Sequence, residues 1–484
     1  MFAAIDLGSN SFRLHIGNHD GTEIQVIKTA RSPVHLAAGL DDQGYLTDEA
    51  ITRGLDCLAE FRRLLSTFPI TAARVVATNT LRVAKNAAQF LPAAEKIIGY
   101  PIEIISGEEE GRLIYMGVSH AVPFTDKHTG LVIDIGGGST EVILGRGKEI
   151  LEVESFSIGT YPQHVGFFKD GFMTDEAFDA AITSARSLFE DATEQYNHPD
   201  ISGVYGSSGT IRAIGTAIAR SHIGDGSLSY ANLMAFKNYL VKAGHVAHVT
   251  FAGVKPERIA VIASGLSILL GIMRQFNLRT IETTVAGLRM GVLWDLHLRS
   301  TDQDRRTLAI AGFMRKFHVD VQRAQYVASN AVQLFRQLVK GKQQFDDNYL
   351  CWAALVHEVG ICVSHSNVHK HSAYMVENAD LPGFTKREQS WMSTLVLGQK
   401  GNLKKIDKSL QDPVFALAVL SLRLAALCLH AKVTDVANVL TVNDEESKGI
   451  VATLHKSYPT LAYALDKEQE SWRAVGVNLA VNTL

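Results

Sequence analysis

Leu131 to Gly145 reads LVIDIGGGSTEVILG. An apolar run enters Asp134, three consecutive glycines follow at Gly136, Gly137 and Gly138, and Val142, Ile143 and Leu144 lead away. β-type runs on either side of a glycine turn specify a strand, a turn and a return strand. Glycines without Cβ let backbone N–H groups approach an anion closely, and Asp134 and Glu141 are oxygen donors suited to a hard divalent cation. A metal-bridged phosphate fits the combination; a glycine hairpin with two solvated acids is the plain alternative. Two other glycine motifs are excluded. A dinucleotide loop needs a third glycine opening a helix, where Glu141 stands before a strand, and the Lys-Ser/Thr of a phosphate loop is missing.

The motif occurs twice. Ala4 to Phe12, AIDLGSNSF, repeats the strand, the acid and the small-residue turn. Val75 to Arg82, VVATNTLR, is echoed by Val204 to Arg212, VYGSSGTIR, each a short strand running through a small polar turn into a helix start. The separation of Asp6 from Arg82 nearly equals that of Asp134 from Arg212. Two homologous lobes facing each other account for this spacing. A helix starting near Thr80 places free N–H groups and Arg82 toward the cleft, a ready anion site. Ser207, Ser208 and Thr210 offer hydroxyls at the equivalent helix start, where N-capping is the competing use.

At 484 residues and net charge −3 the chain exceeds one core and carries no global signature of a nucleic-acid partner. The divisions expected are 1–124, 125–300 and 301–484. Cys57, Cys351, Cys362 and Cys428 have no paired spacing, consistent with a reducing compartment. Asp6 comes too early for a signal peptide, and the apolar stretches Ile259 to Met273 and Phe415 to Leu429 are too short, or carry Arg423, to read as spans. A cytoplasmic protein without a transmembrane segment is expected, with peripheral membrane association left open.

Between the lobes lies ISGEEEGRLIYMGV, residues 105–118. Ser106 and Glu109 have capping-box spacing. Glu110 heads a buried stripe through Leu113, Ile114 and Gly117, so its carboxyl is partly desolvated and suited to a general base; three acids complementing a helix N-terminus is the structural reading. Thr283 to Val292 reads as a strand turning at Gly287 toward a last helix. Beyond Thr301 the pattern is helical. His357, His365, His369 and His371 invite a metal reading, but Glu358 stands where an HD phosphohydrolase needs Asp, so a structural helical region is the stronger expectation. Lys370, His371, Lys400, Lys404 and Lys405 belong to a mildly basic face able to guide a polyanion.

DLGSNSF (6–12), ATNTLR (77–82), ISGEEEGRLIYMGV (105–118), VIDIGGGSTE (132–141), GSSGTIRA (206–213) and HEVGICVSHSNVHKHSAYMVENADLPGF (357–384) together closely resemble the exopolyphosphatase and guanosine pentaphosphate phosphohydrolase family. The resemblance implies an α/β fold of two actin-like (ribonuclease H-like) lobes forming a cleft, followed by an all-α HD-like region. It implies Mg²⁺-dependent removal of the terminal phosphate from inorganic polyphosphate or the guanosine alarmone pppGpp, with Mn²⁺ as a substitute ion, K⁺ as a monovalent cofactor and a homodimer as the assembly. Glu110 takes the catalytic place, and Asp134 and Glu141 the metal places. Asn10, Arg82 and the 206–210 loop fall among the phosphate contacts. Candidate substrate-binding residues are thus Ser9, Asn10, Ser11, Arg82, Gly136, Gly137, Gly138, Ser139, Gly206, Ser207, Ser208, Gly209 and Thr210. Two departures stand out. Ala286 to Gly291, AGLRMG, lacks the acid usual in the family's late turn, and the HD-like region lacks its Asp. GGGS after Asp134 and HSNVHKHSAY point to the exopolyphosphatase branch.

Overall fold

The computed structural model describes all residues except 123, 126, 199, 300, 302–303, 340–345, 446–448 and 484. The chain divides into two units, Met1–Gln303 and Asp304–Leu484.

The first unit holds two sheets of the same topology. Strands β1 (Phe2–Leu7), β2 (Phe12–His19), β3 (Ile24–Ser32), β4 (Ala72–Ala77) and β5 (Ile102–Ile104) lie in the order β3-β2-β1-β4-β5. The first three form an antiparallel meander, and β4 and β5 run parallel to β1. Strands β6 (Thr129–Ile135), β7 (Thr140–Arg146), β8 (Glu149–Phe156), β9 (Ile201–Gly206), β10 (Leu228–Ser229) and β11 (Thr280–Thr283) repeat the plan as β8-β7-β6-β9-β11, with β10 added at the edge. These are the paired actin-like lobes, and Asp6 and Asp134 occupy matching places near the carboxyl ends of β1 and β6. In open α/β sheets ligands bind at those ends. The inward faces of β1 and β6 are buried and apolar, which fixes the register and aims the following turns at the cleft.

The helix Gly107–Ala121 connects the lobes, packing on β7 and β8 on one side and on the helix Leu288–Arg299 on the other. Glycine makes that crossing close: a Cβ on Gly291 would lie 1.7 Å from the Leu113 carbonyl oxygen, and one on Gly117 would lie 2.4 Å from that of Gly287. Of the expected strand from Thr283 that turns at Gly287 toward a last helix, the turn and the helix form, Leu288–Arg299 beginning directly after Gly287, but strand β11 ends at Thr283. The helix Asp175–Leu188 ends before Phe189, which packs against Phe156 and Phe276, and a short helix Thr193–Tyr196 follows.

The second unit is mainly helical around one apolar core. Sequence periodicity missed its three-stranded sheet, β12 (Leu440–Glu445), β13 (Gly449–Leu454) and β14 (Leu479–Thr483). Its apolar helix Pro413–His430 is long enough to cross a membrane by composition, but 72% of the window is buried within the protein. Arg423 on that helix makes a bidentate pair with Glu468 at 2.6 Å and donates to the Gly398 and Gly401 carbonyls.

Candidate active site

Two turns, Gly8 to Ser11 and Gly136 to Ser139, face one another across the first unit's cleft. Gly136 N–H donates to the Ser139 carbonyl at 2.9 Å and closes the second turn. The turns nearly touch: a Cβ on Gly137 would lie 3.2 Å from Ser9 Cβ, and one on Gly138 would lie 2.2 Å from Asn79 Oδ1. Behind them, Thr160 and Tyr161 at the start of the helix Thr160–Phe167 donate N–H groups to the Gly136 and Gly137 carbonyls. A Cβ on Gly159 would collide with Gly138 N at 2.5 Å and Gly137 C at 2.6 Å, both backbone atoms that no side-chain rotation can clear. Gly159→Ala is therefore expected to push the turn into the cleft and lower kcat/KM by about 10²-fold, the order of loss for a misplacement near 1 Å. Steady-state kinetics checks this.

The turns enclose a cavity of about 130 Å³. Its lining includes Ser9, Asn10, Ser11, Gly136, Gly137, Gly138, Ser139, Ser207, Ser208 and Gly209 from the sequence-derived set, together with Glu110 and Asp134. Gly206, Thr210, Arg82 and Glu141 do not line it. Thr210 is buried and accepts from Arg258 Nη1 at 3.3 Å. The Arg82 guanidinium, expected on substrate, donates to the Ile105 carbonyl at 2.7 Å and reaches Glu110 Oε2 at 3.5 Å. Glu141 is the cross-strand partner of Asp134 but is 1% exposed, accepting from Ser155 Oγ at 2.8 Å.

Carboxylates crowd the cavity and its wall. Glu110, in the first turn of its helix, is 9% exposed. Burial raises its proton affinity well above the ordinary value, Glu141, Asp6 and Asp134 raise it further, and Arg82 offsets part of the rise. Burial and Asp134 push the Glu141 carboxyl up to about 7. Asp134, raised by burial, accepts a short hydrogen bond from Ser207 Oγ. Asp6 pairs with Arg289 Nη1 at 3.0 Å, and Arg289 Nε donates to His15 Nε2 at 3.0 Å. Burial and the Arg289 and Arg13 charges lower His15 to about 3, so its ring is neutral and able to accept.

Guanidinium groups are interleaved with the carboxylates. Arg13, Arg212, Arg258 and Arg289 all line the cavity. Arg212 is held by the Ser207 and Thr284 carbonyls at 2.7 and 2.8 Å. Sequence reasoning gave none of the four a role. Arg13 was within reach of it, because it stands at the same offset from Asp6 as Glu141 from Asp134, and each pair is cross-strand. Arg258 and Arg289 reach the cavity from distant segments and carry no comparable signal.

Models of the Ppx/GppA phosphatase family and of its domain III match residues 15–300 and 305–463. The chain belongs to the Ppx/GppA phosphatase family. It is similar to the Aquifex aeolicus PPX-GPPA enzyme, 27% identical over 60% of this chain and 98% of that one, with a TM-score of 0.52. It is also similar to an exopolyphosphatase from Cytophaga hutchinsonii, 25% identical over 62% and 99% respectively, with a TM-score of 0.56. A Ppx/GppA phosphatase is a hydrolase, and the cavity holds the parts hydrolysis of a phosphate ester or anhydride requires: a buried carboxylate, small-residue turns and cationic side chains.

In this Ppx/GppA chain the domain III histidines do not form a metal centre. Among the described residues no three His, Cys, Asp or Glu side chains converge on a point that could hold an ion. The helix carrying Trp352 ends at Leu355, and His357 lies beyond it with its Nδ1 2.6 Å from the Ala354 carbonyl oxygen. Glu358 is engaged by Arg323 at 2.8 and 3.0 Å. Of the lysines expected to guide a polyanion, Lys405 donates to the Lys400 carbonyl and has its pKa lowered to about 8 by burial and by Arg423 and Lys370.

Proposed function

We propose that this Ppx/GppA phosphatase is an exopolyphosphatase, releasing orthophosphate from the end of inorganic polyphosphate. The observation that carries the reading is a cavity lined by four guanidinium groups interleaved with carboxylates, with no aromatic ring among the described residues lining it. A chain of anhydride-linked phosphates needs charge neutralisation along its length and no surface on which to stack a base. Removal of the 5′ terminal phosphate of pppGpp is the second reading. It is favoured by Val285, an apolar lip on the cavity wall that is 85% exposed.

Glu110 accepts the proton of a water aligned with the terminal phosphorus, and that water displaces the rest of the chain in line. Arg82 holds the Glu110 carboxyl from behind. The Gly136 to Ser139 turn, Ser9, Asn10, Ser11 and the Ser207 to Gly209 turn cradle the transferred phosphoryl group, and Arg212 and Arg289 face its oxygens. The donor set suits Mg²⁺, which commonly takes one or two carboxylates and completes its shell with water and substrate oxygens. Asp134 on the cavity wall would hold the ion, with its buried cross-strand neighbour Glu141 as the second carboxylate if its side chain turns from Ser155 toward the cavity, and the ion when bound would offset charge on the phosphate. Mn²⁺ is the expected substitute, and K⁺ a candidate monovalent ion.

Carboxylate crowding gives a stability test of that site. Glu110, Asp134 and Glu141 bind protons more tightly folded than unfolded, so without a cation stability falls as pH rises from the ordinary carboxylate range through about 7, where Glu141 titrates. Added Mg²⁺ is expected to raise the melting temperature, and to raise it more at pH 8 than at pH 5.5. At a concentration a hundred times its dissociation constant it adds about 2.7 kcal/mol. The functional reading is tested by orthophosphate release from polyphosphate, pppGpp and ATP side by side: a preference for polyphosphate upholds it, a preference for pppGpp selects the second reading, and release from none refutes both.

A further inference from the structure

The cavity of about 130 Å³ is close to the roughly 150 Å³ that a benzene ring fills in an engineered protein core, so it accommodates a terminal phosphoryl group and little more. A chain substrate must leave through one wall, and charge identifies which. On the first sheet Asp6, Arg13 and Arg31 form a cross-strand row over β1, β2 and β3, in register Asp6 with Arg13 and Arg13 with Arg31. Side chains in such a row share a face, so the row leads from the cavity outward. From the other lobe, Arg258 lines the cavity and its neighbour Glu257 reaches across to Arg31, with Oε1 3.3 Å from Nη2. This ion pair joins the two lobes where the guanidinium groups lead out.

The pair does not satisfy Arg31. Its Nε is buried and has no hydrogen-bond partner. Cations outweigh anions here: burial and Arg289 lower Arg13 to about 10, with Asp6 offsetting part and Arg258 and Arg31 adding to the lowering, and Arg258 is lowered by burial, Arg31 and Arg212 against the opposing pull of Glu257 and Asp134. Glu257 and Arg31 remain partly exposed, at 37% and 26% of their side chains, so solvent already weakens their attraction and an incoming polyanion can exchange for Glu257.

We propose that Arg31 and Glu257 form a strap across the mouth of the cleft, in which the Glu257 carboxylate holds the position on Arg31 that the third phosphate of a chain substrate takes. The strap rests on the reading of the cavity as a terminal-phosphate site and adds a determinant of chain length to it. An oligophosphate of three or more units displaces Glu257 and bonds Arg31, including its Nε, while orthophosphate is too short to reach it.

Isothermal titration of the full chain with inorganic tripolyphosphate and with orthophosphate, both with Mg²⁺, tests this. Glu257→Gln is expected to tighten tripolyphosphate binding about two- to fivefold, the worth of an exposed ion pair, and to leave orthophosphate binding unchanged. Arg31→Gln is expected to weaken tripolyphosphate binding, and the double variant to match Arg31→Gln alone, since Glu257 then has nothing to compete for. Unchanged or weaker tripolyphosphate binding by Glu257→Gln overturns the strap. Orthophosphate release is scored in parallel. The expected Glu257 dependence without release upholds the strap and refutes the hydrolase reading, whereas release without that dependence refutes the strap alone.

Discussion

Glu110→Gln lowers kcat by about 10² to 10⁴, the range for removing a positioned base. The amide keeps the shape and the Arg82 contact but cannot take the water's proton. In the wild type the rate is expected to rise with pH as Glu110 ionises, and because burial and the neighbouring Glu141, Asp6 and Asp134 all raise its proton affinity, the rise is expected above the ordinary glutamate range. The variant loses this limb of the pH profile. It also gains stability in neutral Mg²⁺-free buffer, since a charge buried beside other carboxylates has been removed. Loss of turnover with a gain in melting temperature separates a catalytic role from a structural one; near-wild-type turnover would exclude Glu110 as the base.

Asp295→Asn is expected to destabilise the first unit by about 3 to 5 kcal/mol, the cost of breaking a buried charge network on one side. Asp295 is 3% exposed and accepts from Arg74 Nη1 at 2.7 Å, Arg112 Nη2 at 2.8 Å and Arg299 Nε at 2.7 Å. Arg112 also makes a bidentate pair with Glu109 at 2.6 and 2.9 Å, and Arg74 bonds Glu103 and Glu109. The network binds β4, the helix Gly107–Ala121 and the helix Leu288–Arg299 into one body. Without Asp295, two buried guanidinium groups lose their shared counter-ion. Arg299, Arg74 and Arg112 hold the Asp295 carboxyl, and Arg112 and Arg74 the Glu109 carboxyl, below the ordinary range, more than cancelling burial. Depressed carboxyl values give stability that is present above the unfolded pKa and lost as pH falls. The variant's deficit in urea unfolding is therefore expected at neutral pH and expected to shrink in acid. Glu108, exposed in the same turn, supplies the control: Glu108→Gln changes stability by less than about 0.5 kcal/mol.

Network and catalysis meet at adjacent residues. Glu109 looks toward the arginines and Glu110 toward the cleft, so the ion network fixes the helix turn that carries the base. Sequence reading gave Glu109 a capping role, and half of that box forms: Glu109 N–H donates to Ser106 Oγ at 3.1 Å. Its side chain instead takes part in pairs with Arg74 and Arg112. Periodicity shows that a carboxylate is on a buried face; it does not show that Arg74, 35 residues earlier, comes to meet it.

The same limit separates what was legible from what was not. The duplicated strand, acid and glycine turn disclosed both lobes, because local register and turn chemistry set their topology. Glu110 and the two turns were legible for the same reason. Arg258 and Arg289 were not, since only tertiary folding brings a short helix and a late turn to the cavity wall. Arg82 was misplaced because a position in a helix's first turn leaves the side-chain direction open, and the Ile105 carbonyl claims it. Nor does local sequence show that Gly291 seats one helix on another.

The most direct test of the central claim is a single turnover of inorganic tripolyphosphate in H₂¹⁸O with Mg²⁺, followed by mass analysis of the products. Attack by water held at Glu110 on the terminal phosphorus places one ¹⁸O in the released orthophosphate and none in the pyrophosphate left behind. Label in the pyrophosphate, or unlabelled orthophosphate, would contradict the account.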